Sequence, residues 1–207
     1  MPIEILTAAS DDGAVLADVF FAAFNTDFDR RILPPTPDVR DWLAAKFNRV
    51  SNGQYVNPTG SVLIKAVDTA TGDVVGFAQW KLPSPELPSP GENTEKEKKV
   101  LWPKSGDTAL CKKHFNAMHE KEEELMGSTP HLSLDMLATH PNFGGRGIGS
   151  QLLGWGLEEA DIDRKPTFLT ATAAGKPLYE KKGFQVVGSN EITEEFVQIY
   201  MVRPAKA

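Results

Sequence analysis

The sequence predicts one α/β domain, α+β in arrangement, with a mixed, mostly antiparallel sheet of six to seven strands flanked by helices. Three observations carry that reading. Residues 61–68 and 74–82 are rich in β-branched and aromatic side chains and flank the short loop Thr-Ala-Thr-Gly-Asp, the pattern of a β-hairpin. The apolar run 131–139 leads through a glycine-rich turn into a helical stretch. The last two apolar runs, 185–192 and 194–204, read as a closing antiparallel pair.

The elements follow in order. Residues 3–9 are short and β-like. Ser10 or Asp11 can cap a helix whose stripe is Val15, Leu16, Val19, Phe20 and Ala23. Three prolines in 25–37 break that helix, and Val39, Trp42, Leu43 and Phe47 then share one side of a second. Residues 51–60 are turn chemistry, and the hairpin follows. The composition then changes over 83–107, where Pro83, Pro85, Pro88, Pro90 and Pro103 accompany a charged run. This reads as a loop excursion within a single domain spanning 1–207, since too little chain lies on either side for two cores. A third helix starts at an Asp107 cap, carries Leu110, His114, Met118 and Leu125 at helical spacing, and stops at Gly127. The run 131–139 has apolar residues on both sides, as a central strand does, with Asp135 expected opposite Met136. A helix over 150–162, a strand over 166–172, and a short helix closed by Gly183 precede the final pair.

Composition narrows the function. The 207 residues carry 22 basic and 28 acidic side chains, a net charge of −6. That balance argues against nucleic acid, which is usually met by a basic face. The single cysteine, Cys111, allows no intrachain disulfide, and no apolar run approaches membrane-spanning length. The first 20 residues lack a basic segment followed by a continuous apolar one, so a cytoplasmic, reducing location is expected, with no membrane partner.

Residues 140–156 hold six of the 17 glycines. A strand, a glycine-rich turn and a helix in that order make an anion site, because unpaired N–H groups and the helix dipole both favour negative charge. The turn lacks the lysine of a P-loop, and Gly-Arg-Gly-Ile-Gly-Ser is not the dinucleotide pattern. A glycine-rich turn without a ligand is the other reading of these glycines.

Two blocks decide between them. Residues 134–161 resemble the acetyl-CoA-binding segment of the GNAT superfamily of N-acetyltransferases, through Thr139, Pro141, Phe143, Gly147, Gly149, Leu152 and Leu153. Residues 166–187, with Leu-Tyr-Glu-Lys-Lys-Gly-Phe, are similar to the family's later segment, in the right order and spacing. The overall character is similar to the fungal branch of this superfamily. One position departs: Gly144 stands where the family has Gln or Arg.

The resemblance implies splayed central strands and acetyl-CoA as cosubstrate. The amides of Gly144, Gly145, Arg146, Gly147, Ile148, Gly149 and Ser150 would cradle its pyrophosphate. The backbone of Leu137, Ala138 and Thr139 would pair with its pantetheine arm. Tyr179 falls where the family has the general acid for the leaving thiolate. The acceptor amine must lose a proton before attack, and Asp135 is the first candidate base, with His140 second. The first two helices, their connecting loop and the hairpin would build the acceptor pocket in this architecture. Phe28, Asp29 and Trp80 are its preferred residues, and Phe24 and Trp42 read as core.

The expected reaction moves an acetyl group to a primary amine of a small molecule by direct attack in a ternary complex. Cys111 matches no nucleophile motif, and the histidines show no metal spacing, so no acyl-enzyme and no metal are expected. The alternatives are a non-catalytic acyl-CoA-binding sensor or scaffold on the same fold, and an unrelated nucleotide-binding domain. Either a monomer or a homodimer is compatible with the chain. The acidic run 120–124 is expected to be a solvated helix face.

Overall fold

The computed structural model describes residues 2–51, 60–83 and 102–206. Within them, seven strands and six α-helices follow one another: β1 (Ile3–Thr7), α1 (Gly13–Ala23), α2 (Asp27–Ile32), α3 (Pro37–Ser51), β2 (Ser61–Asp68), β3 (Val74–Lys81), α4 (Thr108–Met126), β4 (Leu132–Thr139), α5 (Ile148–Ile162), β5 (Thr167–Ala171), α6 (Lys176–Glu180), β6 (Gln185–Thr193) and β7 (Phe196–Arg203). The strands form one sheet in the order β1-β2-β3-β4-β5-β7-β6. Every neighbouring pair is antiparallel except β4 and β5. That exception follows from chain connection, because β4 reaches β5 through the crossover helix α5.

Each face of the sheet carries its own core. On one, Leu63, Phe77 and Ala138 pack against α1 and α3 through Leu16, Val39, Leu43 and Phe47. On the other, Ile64, Ala78, Trp80 and Leu134 pack under α5 through Ile148, Leu152, Leu153 and Leu157. The second contact is close. A Cβ built on Gly156 would lie 2.3 Å from a ring carbon of Trp80, whereas one on Gly154 meets nothing within 4 Å. Only Gly156 therefore serves the helix–sheet packing expected of both. Gly156→Ala is expected to destabilise the fold by about 2 kcal/mol through overpacking against a buried ring. Gly154→Ala, free of any clash, should stabilise by up to about 1 kcal/mol through helix propensity. Urea unfolding of the two variants checks this, and equal effects would refute the packing argument.

Two irregularities shape the middle of the sheet. Along β3 and β4, Gln79 pairs with Met136 but Trp80 pairs with Leu134, so Asp135 is an extra residue, a β-bulge. Strict alternation put Asp135 and Met136 on opposite sides; the bulge instead turns both into one pocket on the α4 side. Second, β4 pairs with β5 only over Leu132–Leu134 and Thr167–Leu169. From Asp135 onward β4 has lost that neighbour, and the two central strands splay.

Three further features differ from the sequence pattern. The proline-containing segment after α1 begins with a helix, α2, fixed by a reciprocal capping box between Thr26 and Asp29. The cap of α1 is Asp12, whose side chain bonds the Ala9 amide and Lys65 rather than an amide of the helix. Leu125 on α4 is exposed, and Met126 is the buried residue there. Asp107 does cap α4, accepting from the Leu110 amide at 3.0 Å. Residues 84–101 of the expected excursion and 52–59 of the turn segment lie outside the described residues. Trp102, at the excursion's end, stacks between Trp42 and Phe115, with ring centroids 5.5 and 5.4 Å away. Among the described residues, no helix is long and apolar enough to cross a membrane.

Candidate active site

The turn between β4 and α5 is open backbone. Gly145 and Gly147 take φ of +72° and +77°, a region that a side chain resists. A Cβ on either would project into open space, so the conformation, not crowding, calls for glycine. Gly147 caps α5 without any side-chain bond, and the helix ladder begins only at the Gln151 amide. Among the described residues, no backbone carbonyl accepts from the amides of Gly145, Gly147, Ile148 or Gly149. Such a run of donors at a helix N-terminus can hold an anion. The guanidinium of Arg146 lies 5.2 Å from the Phe143 ring centroid, on the same turn. Gly144 has φ of −58° and caps the short 3-10 turn Pro141–Phe143, so it needs no left-handed backbone.

The end of β4 and the helix α6 adjoin this turn. A Cβ on Gly149 would lie 3.5 Å from the Thr139 hydroxyl and 3.6 Å from the Leu178 side chain. The His140 amide donates to Val75 on β3 at 2.9 Å. Alternation along a strand then turns the backbone of Ala138 toward β3 and that of Leu137 and Thr139 toward the gap left by β5. Next to Leu178, Tyr179 is buried in the same apolar cluster as Leu134 and Ala171. Burial pushes its hydroxyl up to about 12, so it stays protonated at neutral pH.

On the opposite face a cavity of about 140 Å³ opens beside the bulge, lined by α3, β3, α4, β4 and β5. Its charges are linked. Lys81 reaches Asp135 at 2.9 Å and Glu122 at 3.5 Å. Glu122 also meets His131 at 3.2 Å and accepts the Ser133 hydroxyl. Gln79 donates to Asp135 at 3.3 Å. Burial alone would raise Glu122, but the His131 bond, the Lys81 charge and the Ser133 hydroxyl hold it at about 2. Burial raises Asp135 above the ordinary carboxylate value, and Lys81 only partly offsets this. Of the two carboxylates, Asp135 is the one suited to accept a proton. Among the described residues, no three His, Cys, Asp or Glu side chains converge on a possible metal position.

Comparison with known proteins meets this geometry. A family model described as "Acetyltransferase (GNAT) domain" matches residues 111–186, which run from α4 to the start of β6. An acetyltransferase of Stachybotrys chartarum is 26% identical over 201 residues, covering 91% of this chain and 83% of that one. The crystal structure of a histone acetyltransferase HPA2 and related acetyltransferase from Corynebacterium glutamicum is 25% identical, with TM-score 0.62 over 100% of this chain and 98% of that one. Residues 111–186 thus match a GNAT acetyltransferase domain, and the chain as a whole is similar to acetyltransferases. A PaiA N-acetyltransferase from Thermoplasma acidophilum, solved in complex with coenzyme A, shares the fold at 14% identity and TM-score 0.55, over 99% of each chain.

Within this chain the three expected acceptor residues do not converge. Trp80 is 0% exposed and lies beneath α5, on the face away from Asp135. Strand alternation sends Gln79 and Lys81 into the polar cavity and Trp80 to the other side. Phe28 is buried and stacks on Phe196 at 3.7 Å. It floors a separate, larger hollow of about 350 Å³ that does not reach β4. Asp29 is half-buried and is occupied by its capping box, with its carboxylate 2.7 Å from the Thr26 hydroxyl. His140 likewise caps a turn, its Nδ1 3.3 Å from the Asn142 amide. The residues that do meet Asp135 are Gln79 and Lys81, and Lys81 links it to Glu122. Glu122 was hidden in an acidic run, yet it shares a helical stripe with Phe115 and Met118, and that spacing was the available signal.

Proposed function

We propose that this enzyme moves an acetyl group from acetyl-CoA to a primary amine of a small molecule, with both substrates bound and no covalent enzyme intermediate. The observation that carries the reading is the run of unpaired amides at the start of α5, beside the unpartnered edge of β4. Those amides suit the pyrophosphate of coenzyme A, and Ser150 adds a hydroxyl. The edge at Leu137 and Thr139 suits the amide-bearing pantetheine arm as an added strand, whereas the Ala138 backbone is taken up by β3. An N–H on that edge would also polarise the thioester carbonyl.

The chain's own groups then handle two protons. Asp135 takes one from the acceptor ammonium, directly or through water, which frees the lone pair for attack. Tyr179 gives one to the departing sulfur. The new N–C bond forms as the C–S bond breaks, the thiol leaves neutral, and the second proton shed by the acylated nitrogen restores the Tyr179 hydroxyl, directly or through water.

Acetyl-CoA at a hundred times its Kd is expected to stabilise the fold by about 2.7 kcal/mol, seen as a raised Tm. Thiol release should follow on adding amines from a panel of polyamines, arylamines, aminoglycosides, amino acids and peptides. No Tm shift at millimolar acetyl-CoA would sink the binding site. A Tm shift without thiol release from any amine would favour the acyl-CoA sensor instead.

A further inference from the structure

The polar cavity beside the bulge leaves three groups unanswered. Glu122, Lys81 and Asp135 satisfy one another, as does the amide nitrogen of Gln79. The Oε1 of Gln79, a residue 3% exposed, has no hydrogen-bond partner, and neither has the hydroxyl of Thr170. Lys46, from α3, lines the same cavity. Among the described residues no carboxylate lies within ion-pair distance of its ammonium, whose neighbour is the Trp42 ring at 5.9 Å. Buried polar groups are normally paired, so this set describes what is missing. Gln79 Oε1 is an acceptor waiting for an N–H, and Lys46 is a cation waiting for an anion.

We propose that the acceptor is an amino-carboxylate, whose amine is received by Gln79 Oε1 and Asp135 and whose carboxylate pairs with Lys46. The inference rests on the acetyl-transfer reading and narrows its substrate class. The cavity's charges support it. Lys81 is held at ion-pair distance by two carboxylates, whereas Lys46 feels the charge of Asp135 only from beyond that distance and has room for a carboxylate of its own. Burial holds the Lys46 ammonium below the ordinary lysine value, a strain that an arriving carboxylate would relieve. A polyamine would bring a second cation to Lys46 and should be disfavoured.

The test uses the full chain, saturating acetyl-CoA and thiol release. Glycine, β-alanine, γ-aminobutyrate and L-glutamate are each compared with the matched amide or decarboxylated amine. At least one carboxylate should exceed its partner in kcat/KM by roughly 100-fold. Lys46→Met should shrink that preference to about threefold or less, and Lys46→Arg should keep most of it. The Tm shift with acetyl-CoA reports whether each variant is folded, and the wild-type comparison needs no variant. Equal turnover within every pair, or an equal loss on both members in Lys46→Met, overturns the inference and leaves acetyl transfer standing. No turnover of any amine, with the acetyl-CoA Tm shift intact, fells the transfer reading and this inference with it.

Discussion

Tyr179→Phe is expected to lower kcat about a thousandfold and to leave the acetyl-CoA KM within about a factor of two, the size expected for loss of the proposed general acid. The substitution removes one oxygen and nothing else. The ring stays against Phe184, whose centroid is 5.9 Å away, so the packing of α6 is kept. The hydroxyl has no hydrogen bond among the described residues, so its loss strands no partner. Burial pushes it up to about 12, which keeps it protonated and able to donate throughout the neutral range. A descending limb in kcat from this group should therefore lie above about pH 10 and not near neutrality. Steady-state kinetics with any amine that is turned over would test the assignment. A loss smaller than about tenfold would remove Tyr179 from that role, since general acids contribute more than this.

Much of the fold was legible because each strand declares itself locally. The hairpin of β2 and β3, the closing pair and the glycine turn are all short-range patterns. What escaped was set by long-range register. The bulge at Asp135 depends on how β3 lies against β4, and no property of Leu-Asp-Met alone reveals it. Yet that one inserted residue turns Asp135 and Met136 to the same side and ends the simple alternation on which their placement rested.

The glycine turn proposed to hold the anion was legible for a similar reason. Its chemistry resides in consecutive backbone amides, and glycine marks them directly. The cavity proposed to take the acceptor is assembled from α3, β3, α4, β4 and β5, so no stretch of sequence contains it. Aromatic content pointed to Phe28 and Trp80, but large aromatics fill cores more often than they line small polar cavities. Lys46 and Gln79 look like ordinary surface residues until the fold brings them beside the splayed strands.

Stability should fall by about 2–3 kcal/mol between about pH 7 and pH 4 because of His114. Burial lowers this histidine to about 4, against an ordinary value of 6.5. The hydrogen bonds give the direction a structural basis. The Gln198 amide nitrogen is 3.0 Å from His114 Nδ1 and donates to the His114 carbonyl at 2.9 Å. The other end of that amide accepts the Tyr200 hydroxyl at 2.6 Å. The amide's orientation is thus fixed, and Nδ1 faces a donor, so it must be an unprotonated acceptor. Protonation there would set N–H against N–H within a cluster that includes Phe28 and Phe196. Above pH 6.5 the ring is neutral in both folded and unfolded chains, and this stability is fully present. As pH falls, the unfolded chain takes up the proton first, and stability is lost until the folded value near 4 is reached. Glu122, held at about 2, contributes a separate loss that begins only below its ordinary value of 4.5. His114→Gln keeps an acceptor but cannot titrate, so its unfolding free energy should decline less steeply across the upper window. Urea unfolding of both proteins at several pH values compares the slopes. Parallel curves would show that His114 protonates in the folded chain as readily as in the unfolded one.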